Sequence, residues 1–73
     1  MKNRGRTEML AAMLEVAKGK VTKIKIMYIA FLSYQQVKDY ITVLIENDLV
    51  EYHGETKLFR TTEKGLKFLR MHN

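Results

Sequence analysis

Ser33-Tyr34-Gln35-Gln36-Val37-Lys38-Asp39-Tyr40-Ile41-Thr42-Val43-Leu44-Ile45-Glu46 is the stretch on which the fold turns. Ser33 and Gln36 form a capping box: the Ser33 hydroxyl accepts from the Gln36 backbone N–H, and the Gln36 side chain reaches back. Behind that start, Val37, Tyr40, Ile41, Leu44 and Ile45 recur at the spacing of one helical face. Glu46-Asn47-Asp48 ends the helix, because Asn and Asp tolerate the left-handed conformation that a stop requires. Just upstream, Val21-Thr22-Lys23-Ile24-Lys25-Ile26 alternates as a strand does, yet Ile24, Met27, Tyr28 and Phe31 also fit one face of a helix. A short helix over residues 23–30 with Thr22 as its cap is preferred, because it leads directly into the capped helix at Ser33. Phe31-Leu32-Ser33 is a turn of the length that joins the two helices of a helix-turn-helix.

Outward from this centre the pattern continues in both directions. Thr7 is a suitable N-cap for a first helix, with Glu8 in its first turn. Met9, Leu10, Met13, Leu14 and Ala17 supply its apolar face, and Lys18-Gly19 reads as its stop. On the other side, residues 49–53 and 57–61 are β-prone and joined through Gly54-Glu55-Thr56, the pattern of a hairpin. Thr62 caps a last helix, with Glu63 in its first turn and Leu66 and Leu69 on one face. Gly65 inside that helix costs about 1 kcal/mol relative to Ala, which a close backbone approach to a neighbouring element would offset. The reading is an α+β domain over residues 7–73, preceded by a basic arm over residues 1–6.

The length of 73 residues and the 47% apolar content are enough for one modest core and no more. Cysteine is absent, so neither a disulfide framework nor a thiolate metal site is available. The longest apolar run, Ile26 to Leu32, is far short of the ~20 residues that span a bilayer. Nothing at the N-terminus resembles a signal peptide, and a soluble cytoplasmic protein is expected. The formal charge of +5 is unevenly placed. Residues 1–25 hold seven basic residues against two acidic ones, and the remainder is balanced at six of each. Such a localised excess is the footprint of a polyanion binder, unless it only keeps the surface solvated.

Three segments together resemble a known family. Ala30-Phe31-Leu32-Ser33 with Val37, Ile41 and Leu44 looks like the turn and recognition helix of winged helix-turn-helix domains. Glu46-Asn47-Asp48-Leu49-Val50-Glu51-Tyr52 resembles the exit from that helix into the wing. Thr61-Thr62-Glu63-Lys64-Gly65-Leu66 looks like the start of the helix after the wing. The combination is most similar to small archaeal winged-helix regulators, a group that includes crenarchaeal chromatin-associated proteins, and the match covers about residues 7–71. It implies a nucleoid-associated double-stranded DNA binder, a transcriptional regulator or a non-specific chromatin protein. Two departures matter. Asp48 stands where the family commonly has Gly, which makes the helix stop slightly strained. The chromatin-associated relatives dimerise through a long C-terminal coiled-coil helix, whereas this sequence ends at Asn73, so that mode of pairing does not carry over.

The residues themselves also support DNA. A helix that turns Val37, Ile41 and Leu44 inward turns Gln35, Asp39, Thr42 and Glu46 outward, with Gln36 and Lys38 on the flanks. Gln pairs with adenine N6/N7, Thr bonds a base or touches a thymine methyl, and Lys38 reaches guanine or phosphate. Gln35, Gln36, Lys38, Asp39 and Thr42 are therefore the base-contact candidates, since the N-terminal half of such a helix enters the major groove. Asp39 would either accept from cytosine or restrain Lys38. Phosphate contacts are expected from Lys20, Lys23 and Lys25, with Tyr34 as a hydroxyl donor. In the wing, His53, Lys57 and Arg60 would lie along the backbone or a minor groove, the alternative for Arg60 being an ion pair with Glu51. Lys2, Arg4 and Arg6 form either an arm that tracks DNA or a terminus without a role.

An enzyme is not expected, and neither a cofactor nor a metal. His53 and His72 are the only histidines and have no third ligand at metal spacing. No glycine-rich phosphate loop is present, and Ser33 is occupied as a cap. Tyr28, Tyr40 and Tyr52 are assigned to the core. A winged helix used as a protein-interaction module competes with the DNA reading, because acidic Asp39 and Glu46 would suit a protein partner. RNA binding needs an exposed aromatic platform, and none beyond Tyr34 is expected. A homodimer is expected of a half-site reader, through Phe68 and Met71 on the last helix or Ala12 and Val16 on the first.

Overall fold

The structure, a computed structural model, describes residues 5–72. Its elements run α1 (Arg6–Ala17), α2 (Lys23–Ile29), α3 (Tyr34–Glu46), β1 (Val50–His53), β2 (Leu58–Thr61) and α4 (Glu63–His72). This is the expected order of three helices, a hairpin and a last helix. Lys2 and Arg4 of the anticipated arm, and Asn73, lie outside the described residues.

The helix starts are chemical. Thr22 Oγ1 accepts from the Lys25 N–H at 3.2 Å and caps α2. At α3 both halves of the capping box are made, Gln36 N–H to Ser33 Oγ at 3.1 Å and Ser33 N–H to Gln36 Oε1 at 2.9 Å. Thr62 Oγ1 accepts from the Gly65 N–H at 3.0 Å and caps α4. The first helix departs from expectation. Its cap is Gly5 rather than Thr7, and Glu8 Oε1 accepts the Gly5 N–H at 3.0 Å. Thr7 then lies inside the helix, and Arg6 opens α1 instead of belonging to a free arm.

The junctions are turned without glycine. Lys20, Phe31, Asp48 and Lys57 have φ of 60°, 56°, 59° and 60°, one each before α2, between α2 and α3, between α3 and β1, and at the tip of the hairpin. None of the glycines has a positive φ, so Lys20 and not Gly19 makes the left-handed step after α1. The expectation for Asp48 holds: the helix stop is left-handed at a non-glycine residue.

β1 and β2 pair antiparallel with Val50 opposite Thr61 and Tyr52 opposite Phe59. A third segment joins them at one residue. Val21 donates to the Phe59 carbonyl at 2.9 Å and accepts from the Phe59 N–H at 2.7 Å. The strand-like alternation at Val21 thus has a basis in a single bridge, after which Thr22 starts the helix.

Met13, Leu14, Ile26, Val37 and Leu44 are fully buried at the centre, where α1 packs on α4 and β2 and α3 packs on β1. Among the described residues Thr61 is the buried polar side chain, and its hydroxyl donates to the Leu14 carbonyl at 2.6 Å. Gly65 supplies the close approach anticipated for it. A Cβ there would collide with the Leu49 carbonyl oxygen and lie 2.6 Å from Thr61 Cγ2.

The inner face of α2 differs from expectation. Ile26 and Ala30 are buried and Met27 is half-buried, while Ile24, Tyr28 and Phe31 are exposed. Both ends of the helix are pinned, by the Val21 bridge before it and by buried Leu32 after it, and that rotation turns Ile26 and Ala30 inward. Tyr52 is also exposed, though its ring meets Phe59 at 4.7 Å, and Ile45 is exposed at the edge of the α3 stripe. Phe68, by contrast, packs partly buried against the core and stacks on His72 at 6.3 Å. It widens the core face of α4; Met71 is exposed, and Ala12 and Val16 are half-buried. Among the described residues no helix is long and apolar enough to cross a membrane.

Candidate nucleic-acid interface

The outward face of α3 carries the residues assigned to it. Gln35, Gln36, Lys38, Asp39 and Thr42 are all exposed. Their side chains are already partly engaged within the helix. Gln35 Nε2 donates to Asp39 Oδ1 at 3.0 Å, so Asp39 restrains Gln35 and not Lys38. The second amide proton and Oε1 of Gln35 are left for a base edge. Thr42 Oγ1 donates to the Lys38 carbonyl at 3.0 Å, which leaves its methyl and its lone pairs for an outside partner. Gln36 spends Oε1 on the cap and keeps its amide donors.

Tyr34 is where the basic residues converge. Lys23 Nζ, from α2, lies 5.1 Å from the Tyr34 ring centroid, and Lys38 Nζ, from one turn along α3, lies 5.6 Å from it. Both distances are within the range at which an ammonium is held by the ring quadrupole. Tyr34 thus gathers two cations from different helices at the start of α3, a role of its ring face that hydroxyl donation did not anticipate.

The wing approaches the same region. A concavity is lined by Thr22, Lys23, Ile24, Tyr52, Lys57 and Phe59, so Lys57 of the hairpin and Lys23 of α2 border the same hollow. A neighbouring one joins Lys20 to the hairpin tip at His53, Gly54, Glu55 and Thr56. Lys23 and Lys57 thus line one hollow between α2 and the wing and Lys20 lines another, with Tyr52 common to both. Lys25 is exposed on α2, beyond the cap that its backbone N–H completes. Arg60 is exposed directly opposite Glu51 in the ladder, but Glu51 Oε1 lies 3.3 Å from His53 Nε2 instead. Among the described residues Arg60 forms no ion pair, so the pairing weighed for it does not occur.

One candidate stands elsewhere than expected. Arg6, counted with the arm, lines a concavity with Gln36, Asp39 and Tyr40, beside the outward face of α3. Its signal was the Gly5-to-Glu8 cap, which starts the helix two residues earlier than Thr7 would. Among the described residues no group of three or more His, Cys, Asp or Glu side chains is placed to hold a metal ion.

The family model described as winged helix-turn-helix matches residues 3–73. None of the curated proteins matches the chain.

Proposed function

The chain belongs to the winged helix-turn-helix family, and on that premise we propose that it binds double-stranded DNA as a transcriptional regulator. The reading is carried by one observation: Lys23 and Lys38 each lie against the Tyr34 ring at the start of α3, beside an exposed polar face. In this proposal α3 enters the major groove, with Gln35, Gln36, Lys38, Asp39 and Thr42 at base edges. Lys20, Lys23, Lys25, Lys57, Arg60 and Tyr34 meet the backbone, and the hairpin tip follows the phosphates or the minor groove. The functional unit is a homodimer, which sedimentation of the wild-type protein checks.

Anisotropy of labelled duplexes at two salt concentrations tests the proposal. Four neutralised phosphates correspond to an affinity loss of about 100-fold between roughly 50 and 200 mM salt. Lys23→Ala is expected to weaken every duplex alike and to flatten the slope by about 1, whereas Gln35→Ala shifts base preference. Salt-independent or absent binding would sink the DNA reading in favour of a protein-interaction module. Indistinguishable effects of the two substitutions on all sequences would assign the protein to non-specific chromatin coating.

A further inference from the structure

Two aromatic residues expected on the inner face of α2 stand in solvent. Tyr28 is 70% exposed and Phe31 87% exposed, three residues apart across the end of α2, and Ile24 lies exposed one turn before Tyr28. Phe31 combines two unfavourable features. It holds a large apolar ring in water, and it does so at φ 56°, where glycine would be free of strain. Strain retained at an exposed aromatic is an outlier from which a role is inferred.

The surroundings specify what the rings would meet. Between Glu15 and Asp39 the chain contains five lysines and no acidic residue. Lys18 is paired with Glu15, and Lys23 and Lys38 are gathered over the neighbouring Tyr34 ring. A second copy of the same face would bring like charges together. A polyanion that also offers flat apolar faces fits both features, and unpaired nucleobases on a phosphate backbone are that chemistry.

We propose that the segment from Lys23 to Lys38 is a binding site for single-stranded nucleic acid. Tyr28 and Phe31 stack unpaired bases, and the lysine pair held by Tyr34 takes the adjoining phosphates. This goes beyond the duplex reading. The rings need bases that are out of the double helix, and they lie on α2 and its turn, not on the outward face of α3.

Three labelled probes test it: a single strand of about twelve deoxyadenosines, an abasic strand with the same phosphates, and a duplex. The wild-type protein is expected to bind the base-bearing strand about tenfold more tightly than the abasic one. Phe31→Ser and Tyr28→Ser should each reduce that margin and leave duplex affinity unchanged. Both side chains are exposed, so the variants should fold, and far-ultraviolet circular dichroism checks that they do. Phe31→Gly should reduce the margin as Phe31→Ser does while raising the urea midpoint, which separates loss of stacking from loss of folding. Equal wild-type affinity for the two single strands would overturn the proposal. So would a margin that survives both serine substitutions, or a Phe31→Ser protein whose only change is a smaller sedimenting species. Duplex binding is read in the same experiment, so failure of either reading is visible apart from the other.

Discussion

Asp48 turns the chain from α3 toward β1 at φ 59°, and its carbonyl oxygen accepts the Thr62 hydroxyl at 2.6 Å. Both features depend on the backbone, so Asp48→Gly should keep them while relieving the left-handed strain. The gain is expected to be about 0.5–1 kcal/mol, read as a higher urea midpoint. Gly65→Ala should move stability the other way. Helix propensity alone favours Ala by about 1 kcal/mol, but the added methyl would strike the Leu49 carbonyl and Thr61 Cγ2. A net loss of about 1–3 kcal/mol is expected from the same titration. At this scale the sequence was partly legible. Asp48 and Gly65 break local preference visibly, so their strained turn and close packing could be anticipated. The left-handed steps at Lys20 and Phe31 could not, because nothing in a lysine or phenylalanine announces a positive φ.

The capped start of α3 was the most readable element, since Ser33 and Gln36 sit three apart and their bonds are local. Ser33→Ala is expected to cost about 1 kcal/mol, measured by thermal unfolding. Ser33→Asp should restore the cap yet weaken duplex binding, because a carboxylate then faces phosphate. That pair of outcomes separates the fold role of this position from its electrostatic surroundings. The orientation of α2 was the least readable. Seven residues make two turns, and two competing apolar stripes fit its sequence equally well. Tertiary pinning at Val21 and Leu32 decided between them, and that choice put Tyr28 and Phe31 in solvent. The exposed rings were therefore invisible to periodicity. The approach of Lys23 to the Tyr34 ring was likewise hidden, because it depends on how two helices cross.

A domain of 73 residues has little stability to spare. Leu14 is fully buried, and its carbonyl also receives the Thr61 hydroxyl, so α1 and β2 are tied at one residue by packing and by hydrogen bonding. Leu14→Ala is expected to cost about 2–5 kcal/mol, enough to erase most of the cooperative thermal transition seen by circular dichroism. The overall architecture was legible because each element carries its own cap or turn signal. The placing of Lys23 and Lys57 around one hollow was not, since they come from separate parts of the chain. The paired amides of Val21 and Phe59 have a mechanical consequence here. They clamp the second strand of the hairpin to the segment entering α2, so the two jaws of a caliper share one rivet. Its gape is set before any ligand arrives, and lengthening the hairpin tip would extend one jaw without loosening the joint.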